Sequence, residues 1–148
     1  MIKYFALCVL MALPISSALA EDISTRFGQV VLKEGPNANT LNLSLNGAKI
    51  TSLETNSLNG FGDLFQVGGV DVVTINTLAG GGCGSYYFLS VKSRSVAILS
   101  PSFSSCGEIV IKQSGNSLTT KSMDNQGKNK KSIAFTDGVL TENGKKLR

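Results

Sequence analysis

The chain has 148 residues, no histidine, three cysteines, and 14 basic against 10 acidic side chains. Without histidine, Ser-His-Asp and Cys-His catalysis are excluded, and the common zinc and copper sites lose their usual ligand. The length fits one ordinary domain, and a net charge of +4 is too small to define a partner by itself.

The first twenty residues read as a secretory signal. Lys3 supplies the positive start, Tyr4 to Leu13 is an apolar run ended by Pro14, and Ala18-Leu19-Ala20 is a small-x-small cleavage site before Glu21. Ten apolar residues fall short of the roughly twenty that cross a membrane as a helix. Cys8 sits inside this run behind the bulky Leu7, an unfavourable setting for a lipid-modified cysteine. Cleavage after Ala20 leaves residues 21 to 148 as a single domain with no later apolar stretch of membrane-spanning length.

From there the pattern is strands and turns. Phe27 to Lys33 is a strand ended by Gly35-Pro36-Asn37. Leu41 to Leu45 alternates strictly, Asn46-Gly47 forms a type I′ hairpin turn, and Ala48 to Leu53 returns beside it. Thr55 to Gly62, rich in Asn, Ser and Gly, reads as loop. Gly68-Gly69 marks a bulge or close backbone approach before Val70, Val72, Val73 and Ile75, a β-branched run expected as a buried strand. In the next strand Tyr87, Leu89 and Val91 point to one face, and Tyr86, Phe88 and Ser90 to the other.

Val96 to Leu99 follows, then Pro101 and a serine-rich loop. Ile109 and Ile111 mark another strand, which turns at Ser114-Gly115-Asn116 into Leu118 to Met123. Ile133 and Phe135 define the penultimate strand, and Asp137-Gly138 turns into Val139 to Thr141, which closes the series. The expected fold is all-β: an antiparallel meander of about nine or ten short strands, forming a sandwich or a partly closed barrel.

An exported chain with two mature cysteines, Cys83 and Cys106, is expected to carry one structural disulfide. If Tyr86 to Lys92 pairs with Ser95 to Ser100, the second strand ends beside Cys83, and Pro101 to Ser105 needs only to turn back for Cys106 to reach it. Closing about 24 residues contributes on the order of 3.5 kcal/mol in the chain-entropy model.

Charge is unevenly placed. Glu21 to Ile111 holds five basic residues against seven acidic, whereas Lys112 to Arg148 holds eight against three. The C-terminal quarter, with Lys128, Lys130 and Lys131 in one loop and Lys145, Lys146 and Arg148 at the tail, is a basic surface. It suits an acidic partner protein or lipopolysaccharide phosphates, while export disfavours nucleic acid. A solvated charge run with no ligand is the plainer alternative.

The carboxylate to weigh is Asp71, which interrupts the central apolar run. Either its face is solvated or it accepts hydrogen bonds from turn amides, and a role beside Asp63 or Glu108 as an acid-base pair is the rival. Ser90 with Lys92 is a weaker Ser-Lys coincidence in a serine-rich chain. Gly80 to Ser85 offers a run of backbone amides for an anion, or a tight turn at the disulfide. It lacks the lysine and helix of a phosphate loop. No metal or cofactor is expected.

Val70-Asp71-Val72-Val73, Gly81-Gly82-Cys83, the aromatic Tyr86-Tyr87-Phe88, and Ser100-Pro101-Ser102-Phe103 leading to Cys106 together resemble a family of small exported Gram-negative bacterial proteins. That family has an Asp-Val-Val strand, a Gly-Gly-x-x-Cys loop and a second cysteine after a Phe-containing turn. The likeness covers Gly69 to Cys106, with departures at Gly84 and at Ser104-Ser105. It implies a periplasmic setting and a Cys83–Cys106 pair, and it transfers no catalytic residue.

The expected function is a non-catalytic binding module for an envelope protein, of inhibitor or immunity type. Its candidate contact residues are Gly81, Gly82, Gly84, Phe103, Lys128, Lys130 and Lys131, in three loops. The alternatives are a histidine-free carboxylate enzyme acting on envelope polymers and an assembly or adhesion subunit that uses a bare strand edge.

Overall fold

Alternating apolar residues and Asx-Gly turns build three antiparallel sheets in chain order, each from one continuous stretch of sequence. The structure, a computed structural model, describes residues 20–37, 39–55, 58–79, 82–128 and 130–148. The expected export signal therefore lies outside the described residues up to position 19, as do Gly80 and Gly81.

Sheet A contains β1 (Ala20–Thr25), β2 (Gly28–Glu34), β3 (Thr40–Leu45) and β4 (Ala48–Glu54). Sheet B contains β5 (Leu58–Val67), β6 (Val70–Ala79), β7 (Cys83–Ser93) and β8 (Val96–Leu99), with β9 (Phe103–Ser105) also paired to β7. Sheet C contains β10 (Lys112–Ser114), β11 (Ser117–Met123), β12 (Lys130–Thr136), β13 (Val139–Glu142) and β14 (Lys145–Lys146). The fold is an all-β sandwich of stacked sheets, and none of them closes into a barrel.

Sheet B is the middle layer. Val73, Ile75, Leu89 and Val91 on one of its faces pack against Val30, Leu32, Leu43 and Leu45 of sheet A. Val72, Phe88 and Phe103 on the other pack against Leu118, Ile133, Phe135 and Leu140 of sheet C. A strand covered on both faces needs apolar residues in succession, which is why β6 reads as a run and not an alternation. The expected facing of β7 holds: Tyr87 joins the first core and Tyr86 the second. The outer sheets alternate cleanly, as in β3 and β11. Each fully buried Leu, Ile or Phe contributes about 2 kcal/mol to folding.

The turns obey local chemistry. Asn46-Gly47, Asp137-Gly138 and Asn143-Gly144 all take positive φ at both positions, as a type I′ hairpin requires. The last of these adds β14, so the series does not close at Thr141.

Other expectations are corrected, each for a definite reason. Most of the expected loop from Thr55 to Gly62 belongs to β5, which pairs along β6 with register shifts that absorb Gly60 at φ 90°. Partner strand outweighs propensity there. Gly68-Gly69 is the β5–β6 hairpin turn, not a bulge. The serine-rich loop contains β9. Ser100 still pairs with Phe88, through its own N–H to the Phe88 carbonyl and the Phe88 N–H to its Oγ. Pro101, with no N–H, then breaks the ladder before Phe103 meets Tyr86. The chain does not turn back after Pro101 but continues antiparallel along β7. Glu108 to Ile111 is not a strand; it is a strap carrying the chain from sheet B to β10. With β1, β9 and β14 added, the strands exceed the nine or ten expected.

Candidate functional site

The strap is anchored at both ends. At its start, Cys106 is disulfide-bonded to Cys83, which the ladder of β7 with β9 places on the neighbouring strand, one step beyond the Gly84–Ser105 pair. The Cys106 N–H also donates to the Met123 carbonyl at 2.9 Å. The Ser105 hydroxyl accepts the Met123 N–H at 3.1 Å and donates to the Gly107 carbonyl at 3.3 Å. The disulfide therefore sits where sheets B and C meet, and it fixes the start of the strap against the end of β11.

At the other end, Lys112 pairs with Thr119. Continuing that ladder would set Glu108 opposite Met123, yet it is Cys106 that bonds Met123. The strap thus carries two more residues than the ladder needs, and it bows away from β11. Ile109 and Ile111 turn inward to the core between sheets B and C, leaving Val110 66% exposed.

Between the strap and the outer face of sheet C lies a groove of about 610 Å³. Its lining includes Glu108 and Val110 from the strap, Lys112 from β10, Thr119, Lys121 and Met123 from β11, and Lys130 and Ser132 from β12. The alternation of β11 explains most of the set: Leu118, Thr120 and Ser122 are buried, which turns Thr119, Lys121 and Met123 outward, while the buried Thr120 also lines the groove. Among the described residues no carboxylate lies within ion-pair distance of Lys112, Lys121 or Lys130; the ion pairs formed are Arg26–Asp71 and Lys131–Glu142.

A smaller hollow of about 200 Å³ lies behind the strap, lined by Asp63, Thr74, Asn76, Tyr86 and Glu108 with Ile109 and Ile111. Burial raises the Tyr86 hydroxyl pKa above its ordinary value; a hydrogen bond from Asn76 opposes the shift and the Glu108 charge adds to it. The Asn76 Oδ1 is buried without a hydrogen-bond partner.

The expected contact residues separate into different roles. Gly82 is exposed in the β6–β7 turn at φ 78°, and Gly81 lies outside the described residues. Gly84 is buried, and a Cβ there would stand 3.0 Å from Asn76 Oδ1 and 3.2 Å from the Thr77 carbonyl, so its place is structural. Phe103 is corrected outright: it is 3% exposed and stacked between Tyr86 and Phe88. Lys131 is held by Glu142 at 2.9 Å. Lys128 is exposed, its N–H bonded to Asp124. Lys130 and Lys131 belong to β12 and not to the expected loop, and of the three lysines Lys130 is the one that lines the groove.

Asp71 is fully buried. It accepts from the Arg26 N–H and from Arg26 Nε, both at 2.6 Å, in the β1–β2 turn. It does not pair with Asp63 or Glu108, which lie at the other hollow. Ser90 and Lys92 line one small cavity without a hydrogen bond between them. Among the described residues no group of three metal-binding side chains converges.

Sequence reasoning counted Lys112 and Lys121 among the basic residues without singling them out, and it did not mark Val110 or Met123. The outward parity of β11 was the available signal for Lys121 and Met123. The bow that exposes Val110 depends on where Cys106 is bonded and has no local signature. Comparison with family models, with curated proteins and with solved structures finds no match to this chain.

Proposed function

We propose that the protein is an exported, non-catalytic binding module that holds a protein partner in a bacterial cell envelope, with the groove beside the strap as its contact surface. The observation that carries this reading is the groove itself: a concave face with unpaired lysines, mounted on a strand pair and walled by a disulfide-anchored strap. Rigid scaffolds with recognition at their connections are suited to binding. The disulfide fits an oxidising compartment, and the signal-like N-terminus supports export. The rival enzyme reading loses its first suspect, since both oxygens of Asp71 are taken by Arg26.

A second reading has one observation in its favour. Strand β8 is an edge of sheet B that pairs with β7 alone among the described residues, and Val96 and Ile98 are exposed on it. An uncharged β-branched edge suits strand addition by an assembly subunit.

The test is cross-linking of tagged mature protein in envelope extract, followed by capture and stoichiometry. One partner at a fixed ratio is the expected result. Absence of a partner together with cleavage of purified envelope polymer would refute the binding reading. Self-association that is abolished by Ile98→Lys would favour the second.

A further inference from the structure

Lys112, Lys121 and Lys130 stand on three neighbouring strands in a stepped register. Lys112 is opposite Thr119, two residues before Lys121; Lys130 is opposite Met123, two residues after it. All three face the same side of the sheet. With strands about 4.8 Å apart and about 6.8 Å per two residues, each lysine Cβ is about 8 Å from the next along one straight diagonal. The stripe lines the groove, which Lys128, Lys131, Lys145 and Lys146 do not.

The groove also has one residue whose main-chain N–H and C=O are open. The Met123 N–H and C=O both turn to the strap side, where Ser105 and Cys106 take them. The ladder alternates, so the N–H and C=O of Lys121 turn to the same side. Ser132, opposite Lys121, uses its own N–H and C=O on the far side with Asn143, which agrees with that parity. No strap residue bonds the Lys121 peptide among the described residues. The bow of the strap therefore leaves one donor and one acceptor at strand spacing, between Val110 and Met123.

Building on the binding-module reading, we infer that the partner presents an extended acidic segment to this groove. One residue of its main chain bonds the Lys121 N–H and C=O, in the gap between the Lys112–Thr119 pair and the Cys106–Met123 bond, its carboxylates meet the lysine stripe, and an apolar side chain packs on Val110 and Met123. Charge complementarity selects the acidic sequence, and the paired donor and acceptor of Lys121 select a polypeptide main chain over a phosphorylated glycan. Glu108, at the strap side of the groove, disfavours a purely polyanionic ligand by like-charge repulsion.

The probe is a short, capped, fluorescent peptide alternating glutamate with valine, titrated into the oxidised mature protein. Its controls are the lysine-for-glutamate version and inorganic tripolyphosphate as a competitor. The glutamate peptide is expected to bind with an affinity that falls as salt rises, and the lysine peptide is expected not to bind. The double variant K121E/K130E, whose side chains are exposed, should weaken binding about tenfold or more. K145E/K146E carries the same charge change on β14 and should leave it unchanged. Val110→Ser should weaken binding without altering the salt dependence. Equal loss from both double variants, or no loss from either, overturns the groove assignment. Tight tripolyphosphate binding with no peptide binding overturns the strand assignment. If K121E/K130E still captures the envelope partner at full stoichiometry, this inference fails while the binding-module reading stands.

Discussion

Arg26 donates to Asp71 from its main chain and from its guanidinium, each at 2.6 Å, and joins two positions 45 residues apart. The carboxylate is buried in sheet B while the Arg26 side chain is 42% exposed. One charged end of this clamp is thus dry, and the other reaches solvent from the first turn of sheet A.

Asp71→Asn should therefore lower stability by about 2 to 4 kcal/mol, because it leaves a buried amide facing two donors. Urea denaturation is the measurement, with peptide binding at the groove unchanged. A shift near zero would mean that this clamp adds nothing to the packing of sheet A on sheet B.

The disulfide prediction has a local and a global part. Denatured mature protein should show no free thiol without reductant. Reduction, or Cys83→Ser with Cys106→Ser, should cost about 3 kcal/mol. The amides of Cys106 and Met123, which are bonded across this anchor, should lose hydrogen-exchange protection first, since the tie at the start of the strap is gone. Two thiols per oxidised chain would contradict the bond.

Asn46 does more than supply a turn. Its Oδ1 accepts the Gln29 N–H at 3.0 Å, and its Nδ2 donates to the carbonyls of Phe27 at 3.1 Å and Arg94 at 2.8 Å. The last of these reaches from sheet A to sheet B. Asn46→Ala should cost about 2 kcal/mol in thermal or urea melts. Asp137→Ala, at a turn of the same type, should cost about 1 kcal/mol for the left-handed backbone. Equal losses would show that the cross-sheet bond carries no stability.

Tyr86 gives a pH prediction. Its pKa is raised in the folded protein by burial first, with Glu108 adding to the effect and the Asn76 bond opposing it. Between the ordinary value of 10.0 and the folded value, the unfolded chain has released the proton that the folded chain still holds. Stability is then full below that window and falls as pH rises through it. Tyr86→Phe should flatten this alkaline decline, and Asp63→Asn should not. An identical decline in the Phe variant would place its source elsewhere.

The strand-rich architecture was legible because apolar alternation and Asn-Gly or Asp-Gly turns are local signals. Leu41 to Leu53 shows this well, since both strands and the turn between them lie within a few residues of where the pattern sets them. The cysteine pair was legible from compartment and number. Strand β5 was not, because Asn59, Gly60 and Gly62 carry loop chemistry and the strand is held by β6. Phe103 was placed among the contact residues of a serine-rich loop, whereas its partners are Tyr86 and Phe88 on the next strand. The groove was the least legible feature. It arises from a mismatch between two registers, and neither end of that mismatch is visible without the other.

Sheet B is the partner of both cores, so the two outer sheets do not stand on equal terms with it. Were either outer sheet to detach, the core on the other face of sheet B would stay covered, whereas loss of sheet B would remove the buried surface of both. Amides of β6 and β7 should then exchange only through global unfolding, with β3 and β12 opening earlier and independently. The same hierarchy bears on sequence drift. An apolar change in sheet A is felt by one interface, whereas in β6 a change at one position loads one interface and a change at the next loads the other, which leaves that strand the least room to vary.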